Sequence, residues 1–240
     1  MQSQCDRHIQ VEALRREIAR LEGGLPSAKA SSIGSGCKAI DGLLPENGFR
    51  RGTLVEWLAA GEGVGAAALA LATAAEACRD GGGLVLLDRS REFYPPAAAA
   101  FAIDPTRLIV VHAMDRADHY WAMDQALRCP AVAAVVAWPD AMEDRFDGQT
   151  FRRLQLAAEE GGGLGLLIRP EAMRHQPSWA DVRLLVEPLP ITSSYGMKHR
   201  QRVRMLRGRG GAGSRAVEVE IDDESRDMHL LQKPSYRDPN

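Results

Sequence analysis

Aromatic residues make up only 5% of the 240-residue sequence. Its core must therefore be built mainly from alanine, leucine and valine. Cysteine is scarce and scattered: Cys5, Cys37, Cys78 and Cys129 form no CxxC pair and have no histidine at metal-ligand spacing. That pattern excludes a disulfide framework or a structural zinc site and fits a reducing cytosol. No apolar run reaches the roughly 18 residues needed to span a bilayer. The opening MQSQCDRHIQ lacks the basic-then-apolar plan of a secretion signal. An excess of one charge is missing too, with 30 Lys+Arg against 32 Asp+Glu and a net charge of -2. A protein that coats nucleic acid over its whole surface is usually basic, so any DNA contact has to come from a local patch. These absences lead us to expect a soluble, cytoplasmic protein. What is present is ordinary for a globular chain: 45% hydrophobic and 26% charged residues, enough for one α/β domain with a small appendage.

Residues 4–22 read as a helix, with Val11, Leu14, Ile18 and Leu21 forming a narrow apolar seam beside Arg15, Arg16, Glu17 and Arg20. The stretch GGLPSAKASSIGSG, residues 23–36, reads as a linker. The tethered seam docks either on its own domain or on a neighbouring chain. From residue 50 the pattern alternates. Apolar runs resembling buried strands occur at 53–58, 84–88, 107–112, 131–138 and 164–169, with helical stretches at 65–78, around PPAAAAFA, at 120–128 and at 151–160. Near-continuous apolar strands separated by helices predict a mainly parallel sheet covered on both faces, spanning 37–190.

The last fifty residues, 191–240, change character. VRLLVEPLP (182–190) closes the core as a further strand, after which QRVRML (201–206) and AVEVEID (216–222) alternate with period two, the pattern of half-exposed antiparallel strands. Between 188 and 217 there are seven Lys/Arg and no carboxylate, whereas 218–227 holds six carboxylates. One reading makes Lys198, Arg200, Arg207, Arg209 and Arg215 a basic patch. The other pairs the two strands, so that Arg202 and Arg204 face Glu218 and Glu220 while Val203 and Met205 pack on Val217, Val219 and Ile221. Arg207, Arg209 and Arg215, in the glycine-rich connection, stay available for a phosphate or an acidic partner in either case.

The segment RRGTLVEWLAAGEGVGAAALALATAAEA runs strand, glycine turn, helix. Such a turn can cradle phosphates on backbone N–H groups at the helix N-terminus. As a P-loop, with its last glycine on Gly65, it carries Ala66 where the lysine belongs and Ala67 where the magnesium-binding hydroxyl belongs. As a dinucleotide fingerprint it offers Gly61, Gly63 and Ala66, with Asp88 at the distance of a ribose-binding acid. A third reading is that Gly61, Gly63 and Gly65 merely turn the chain and the Ala-rich helix packs on the sheet.

The order of segments resembles the RecA-type recombinase core over roughly residues 31–190. SIGSGCKAIDGLLPENGFRRGTLVEW resembles the lead into the P-loop, VLLDRSREFYPPAAAAFAIDPTRLIVVH the next strand–helix–strand unit, and AVAAVVAW the strand that normally ends in the magnesium-holding aspartate. HYWAMDQALRC, FRRLQLAAEEGGGLGLLIRP and WADVRLLVEPLP resemble more narrowly the ImuA family, RecA-like (SulA-like) proteins of bacterial SOS mutagenesis. Carried over by position, the resemblance puts Ala66 at the lysine, Ala67 at the hydroxyl, Trp138 at the magnesium aspartate and Ser90 near the water-activating glutamate. Asp140 or Glu92 as substitutes would not restore the lysine.

The resemblance thus implies a RecA-like α/β fold with an N-terminal helix and a C-terminal antiparallel β extension, a degenerate phosphate loop, no catalytic residues, no metal and no cofactor. It implies a non-enzymatic adaptor in translesion synthesis, linking an ImuB-like protein to an error-prone C-family DNA polymerase. RecA and the sliding clamp belong to the same circuit, DNA contact is indirect or weak, and the protein joins the nucleoid on DNA damage. The seam Val11, Leu14, Ile18, Leu21 is the first candidate partner contact. Two alternatives stand beside this: a SulA-like division inhibitor binding FtsZ, and an enzyme using ATP or NAD.

Overall fold

A computed structural model describes residues 32–138, 148–190, 198–208, 215–222 and 228–230. The helix expected over 4–22 lies outside them, as does most of the linker. The end of that linker, however, is built into the fold. Ile33 is buried and pairs with Phe49 through reciprocal backbone hydrogen bonds of 2.8 and 2.7 Å, so the ordered core begins before residue 37.

Nine strands among the described residues form one sheet: β1 (Leu54–Ala59), β2 (Gly83–Leu87), β3 (Leu108–Val111), β4 (Val132–Ala137), β5 (Leu164–Pro170), β6 (Val182–Pro188), β7 (Lys198–Arg207), β8 (Ala216–Asp222) and β9 (Met228–Leu230). Their order is β3-β2-β4-β5-β1-β6-β7-β8-β9. The first six strands are mutually parallel and the last three antiparallel. The helices are α1 (Lys38–Asp41), α2 (Ala66–Cys78), α3 (Pro96–Ala99), α4 (Arg116–Arg128) and α5 (Gly148–Gly161). This is the α/β sheet with a C-terminal antiparallel continuation that the alternating pattern predicts. The final pieces extend the same sheet, and β9 was not foreseen from the sequence.

Side chains alternate across the pleat, which sorts the strand residues into two cores. On one face Trp57, Leu86, Val136, Leu166 and Leu184 pack with Leu69 and Ala74 of α2 and Ile40 of α1. On the other, Leu54, Val85, Val135 and Leu167 pack with Met123 and Leu127 of α4 and Phe151 and Leu154 of α5. α2 is buried at Ala66, Leu69, Ala70, Leu71, Ala72, Thr73, Ala74 and Ala77, almost around its circumference. Alanine suits this because a methyl group lets a helix lie close to the sheet.

The β7–β8 hairpin forms, but in another register than expected. Arg202 lies opposite Glu218 and Arg200 opposite Glu220, with N···O distances of 2.7 and 3.0 Å. Arg204 lies opposite Ala216 and bonds instead to Glu187 on the other neighbour, β6, at 2.9 Å. The reason is directional: numbering runs oppositely in antiparallel strands, so once Arg202 faces Glu218 the residue facing Glu220 must be two earlier, not two later. Val203, Met205, Val219 and Ile221 of the same strands join the core, as expected.

Candidate functional site

Strand β1 delivers the chain into the glycine turn, and α2 leads out of it. Gly63 and Gly65 adopt φ of +68° and +81°, which L side chains rarely adopt. Gly65 caps α2 with its carbonyl, accepting from Leu69 N at 3.0 Å, and supplies no side-chain cap. It is also crowded: a Cβ there would overlap the amide of Gln201 from β7. Gln201 is buried and its Oε1 has no hydrogen-bond partner. The turn is thus held from behind by the antiparallel part of the sheet, a contact that no sequence spacing announced.

In front of the turn opens a cleft of about 660 Å³, at the carboxyl ends of β1, β2, β4 and β5. Gly61, Ala67, Ser90, Glu92 and Trp138 all line it, so positions widely separated in sequence converge on one space. Ala66 is buried at the foot of α2. Ala66 packs into the core, whereas Ala67 lines open space. Alanine methyls are too small to occupy such a volume.

The electrostatics of the cleft follow from neighbours already engaged. Asp88 is buried, and its two oxygens accept from the backbone N–H groups of Glu92 (3.2 Å) and Phe93 (2.8 Å), which folds the loop after β2. It is occupied as a loop brace rather than held out toward a ribose. Trp138, half-buried at the end of β4, stands 6.2 Å from the ring of Phe93. Asp140 lies outside the described residues. Arg169 reaches the wall from β5, but its Nη1 donates to Glu56 Oε1 at 2.5 Å and its Nη2 to Gln176 Oε1 at 2.8 Å.

That arginine belongs to a buried ion triad that our sequence reading missed. Glu56 on β1 is fully buried and accepts from Arg169 on β5 and, through Oε2, from Arg183 Nε on β6. Arg183 donates further to the carbonyls of Arg174 (2.9 Å) and Met173 (3.1 Å), tying the 3-10 turn Glu171–His175 against the sheet. The signal was available: TLVEWL, LGLLIR and VRLLV each carry one ionisable residue in an otherwise apolar run. On strands that pair side by side, those residues meet.

Of the basic candidates, Arg200 is paired with Glu220, and Arg207 is exposed with Nη1 donating to Ser178 O at 2.7 Å. Arg215 is exposed, and the backbone of Lys198 lies in register with Asp222. Arg209 lies outside the described residues, as do Val11, Leu14, Ile18 and Leu21. Of the described basic positions, Arg200 and Arg207 are thus engaged within the chain. Among the described residues no group of three or more His, Cys, Asp or Glu could hold a metal ion, and no helix is long and apolar enough to cross a membrane.

Fold and site together define an α/β protein with an open cleft at the carboxyl ends of its central strands and a glycine turn that carries neither lysine nor hydroxyl. No family model matches the sequence. Two curated relatives do, both described as Protein ImuA, from Caulobacter vibrioides strains NA1000 / CB15N and ATCC 19089 / CIP 103742 / CB 15. Each is 31% identical over 191 residues, covering 72% of this chain and 77% of the relative. The chain belongs to the ImuA family.

Proposed function

We propose that this chain is a non-catalytic, RecA-like adaptor of DNA-damage-induced mutagenesis, joining an ImuB-like protein and an error-prone C-family polymerase during synthesis past lesions. Membership of the ImuA family supports the process. One observation carries the non-catalytic part. The turn where a triphosphate would lie presents Ala66 and Ala67, and Arg169 beside it is already neutralised by Glu56. Phosphoryl transfer rests on positioned cations, and this turn supplies none of its own. The RecA-like part draws support from the convergence of Ala67, Ser90 and Trp138 on one cleft. Those are the positions that the resemblance assigns to magnesium and water activation.

Calorimetric titration of the purified protein with ATP–magnesium and with NAD tests the reading. No binding in the micromolar range is expected for either, and a micromolar dissociation constant for one of them overturns it in favour of a nucleotide-using enzyme. Co-purification with an ImuB-like protein, lost on Leu14→Asp/Ile18→Asp with the core circular dichroism unchanged, is expected on the partner side. Cell filamentation on overexpression would instead support the division-inhibitor alternative.

A further inference from the structure

The unpaired charges of the cleft have the wrong sign for a phosphate and the right sign for a cation. Glu62, on the glycine turn, and Glu92, after β2, are exposed and line the cleft. Neither carboxylate pairs with another described residue. The cations of the wall are engaged: Arg169 with Glu56 and Gln176, and Arg89 in contacts of its own. The same cleft is also lined by aromatic residues. Phe93 and Trp138 are half-buried with their rings inclined at 35°, and Tyr94 is 69% exposed.

We propose that this cleft binds an arginine side chain presented by a partner polypeptide. A guanidinium is flat, permanently charged and weakly hydrated, so it stacks on aromatic faces and bonds to carboxylates through its fork of N–H groups. A volume of about 660 Å³ exceeds one guanidinium and leaves room for the residues flanking it. A nucleic-acid occupant is disfavoured because Glu62 and Glu92 would face its phosphates. The inference rests on the reading that the cleft takes no nucleotide; the adaptor function deepens it but is not required for it.

The test follows the indole N–H resonance of Trp138 in the ¹⁵N-labelled full chain, assigned by its disappearance in Trp138→Phe. The probes are Nα-acetyl-arginine amide, its neutral citrulline counterpart, Nα-acetyl-lysine amide and ATP. A saturable shift with the arginine probe is expected, weaker by about tenfold with citrulline. Glu62→Gln/Glu92→Gln should weaken arginine binding by about fivefold. The resonance of the fully buried Trp57 should stay in place, showing that the variant is folded. An unmoved Trp138 resonance, equal binding of citrulline, tighter binding of lysine, or a double variant as tight as the parent would each overturn the proposal. A shift with ATP would overturn the nucleotide-free reading instead, and the arginine titration separates the two failures.

Discussion

Glu56→Gln removes one negative charge from the centre of the sheet while keeping the shape of the side chain, and the structure sets the size of the effect. Glu56 is fully buried, and the side chains of Arg169 and Arg183 are 1% and 10% exposed. One carboxylate thus serves two guanidiniums. At an effective dielectric of about 20, unit charges about 4 Å apart attract by about 4 kcal/mol, against a desolvation cost of several kcal/mol per ion. The intact triad therefore contributes little net stability, but losing its anion leaves two buried cations facing each other. Breaking a buried pair in this way costs about 3–5 kcal/mol, which lowers Tm by roughly 6–20 °C for a domain of this size. Urea unfolding followed by circular dichroism measures it. Arg183→Met should cost less, because a matched Glu56–Arg169 pair remains. The apolar triple variant Glu56→Leu/Arg169→Leu/Arg183→Met should recover most of the loss. A Glu56→Gln loss below about 1 kcal/mol, or a triple variant as unstable as Glu56→Gln, would refute this account of the triad.

Gly65→Ala should destabilise the fold by about 2 kcal/mol through left-handed strain, with a further loss from overlap with Gln201. In a Gln201→Ala background only the strain should remain, so additive urea midpoints would show that the close approach does not matter. Asp124, buried on α4, is pushed up by burial, but hydrogen bonds from Arg153 and Arg128 and their charges outweigh this and hold its carboxyl below the usual carboxylate range. A depressed folded-state pKa gives stability that is present above the unfolded value of about 3.9 and is lost as pH falls through that of the folded state. Asp124→Asn should therefore be less stable at neutral pH and show a shallower acid limb between about pH 5 and pH 2; an unchanged slope would remove Asp124 from the acid response.

Much of this architecture was legible because burial writes itself into composition. A parallel strand covered on both faces must be apolar throughout, so β1, β2, β4 and β5 stood out as short runs of Val, Leu and Ala. Glycine runs at 81–83 and 161–163 in the sequence lie where α2 and α5 end, and Gly82 and Gly162 there adopt φ of +84° and +75°. Ala66 and Ala67 could likewise be placed at the start of a helix, and Trp138 at the end of a strand. The register of β7 on β8 was harder, because Arg200, Arg202 and Arg204 alternate identically and only the pairing selects their partners. Strand β9, three residues long, carries too short a pattern to see.

The sequence by itself determined the α/β class, the strand and helix order, and the chemistry missing from the glycine turn, since all of these depend on residue type and local periodicity. Only the tertiary structure decided that Glu56 meets Arg169 and Arg183, that Gln201 backs Gly65, and that Glu62, Glu92, Phe93 and Trp138 share one cleft. Those contacts join residues far apart in the chain, and which ones meet depends on strand order and register. Both are global outcomes of packing two cores on one sheet, and no local stretch of residues encodes them.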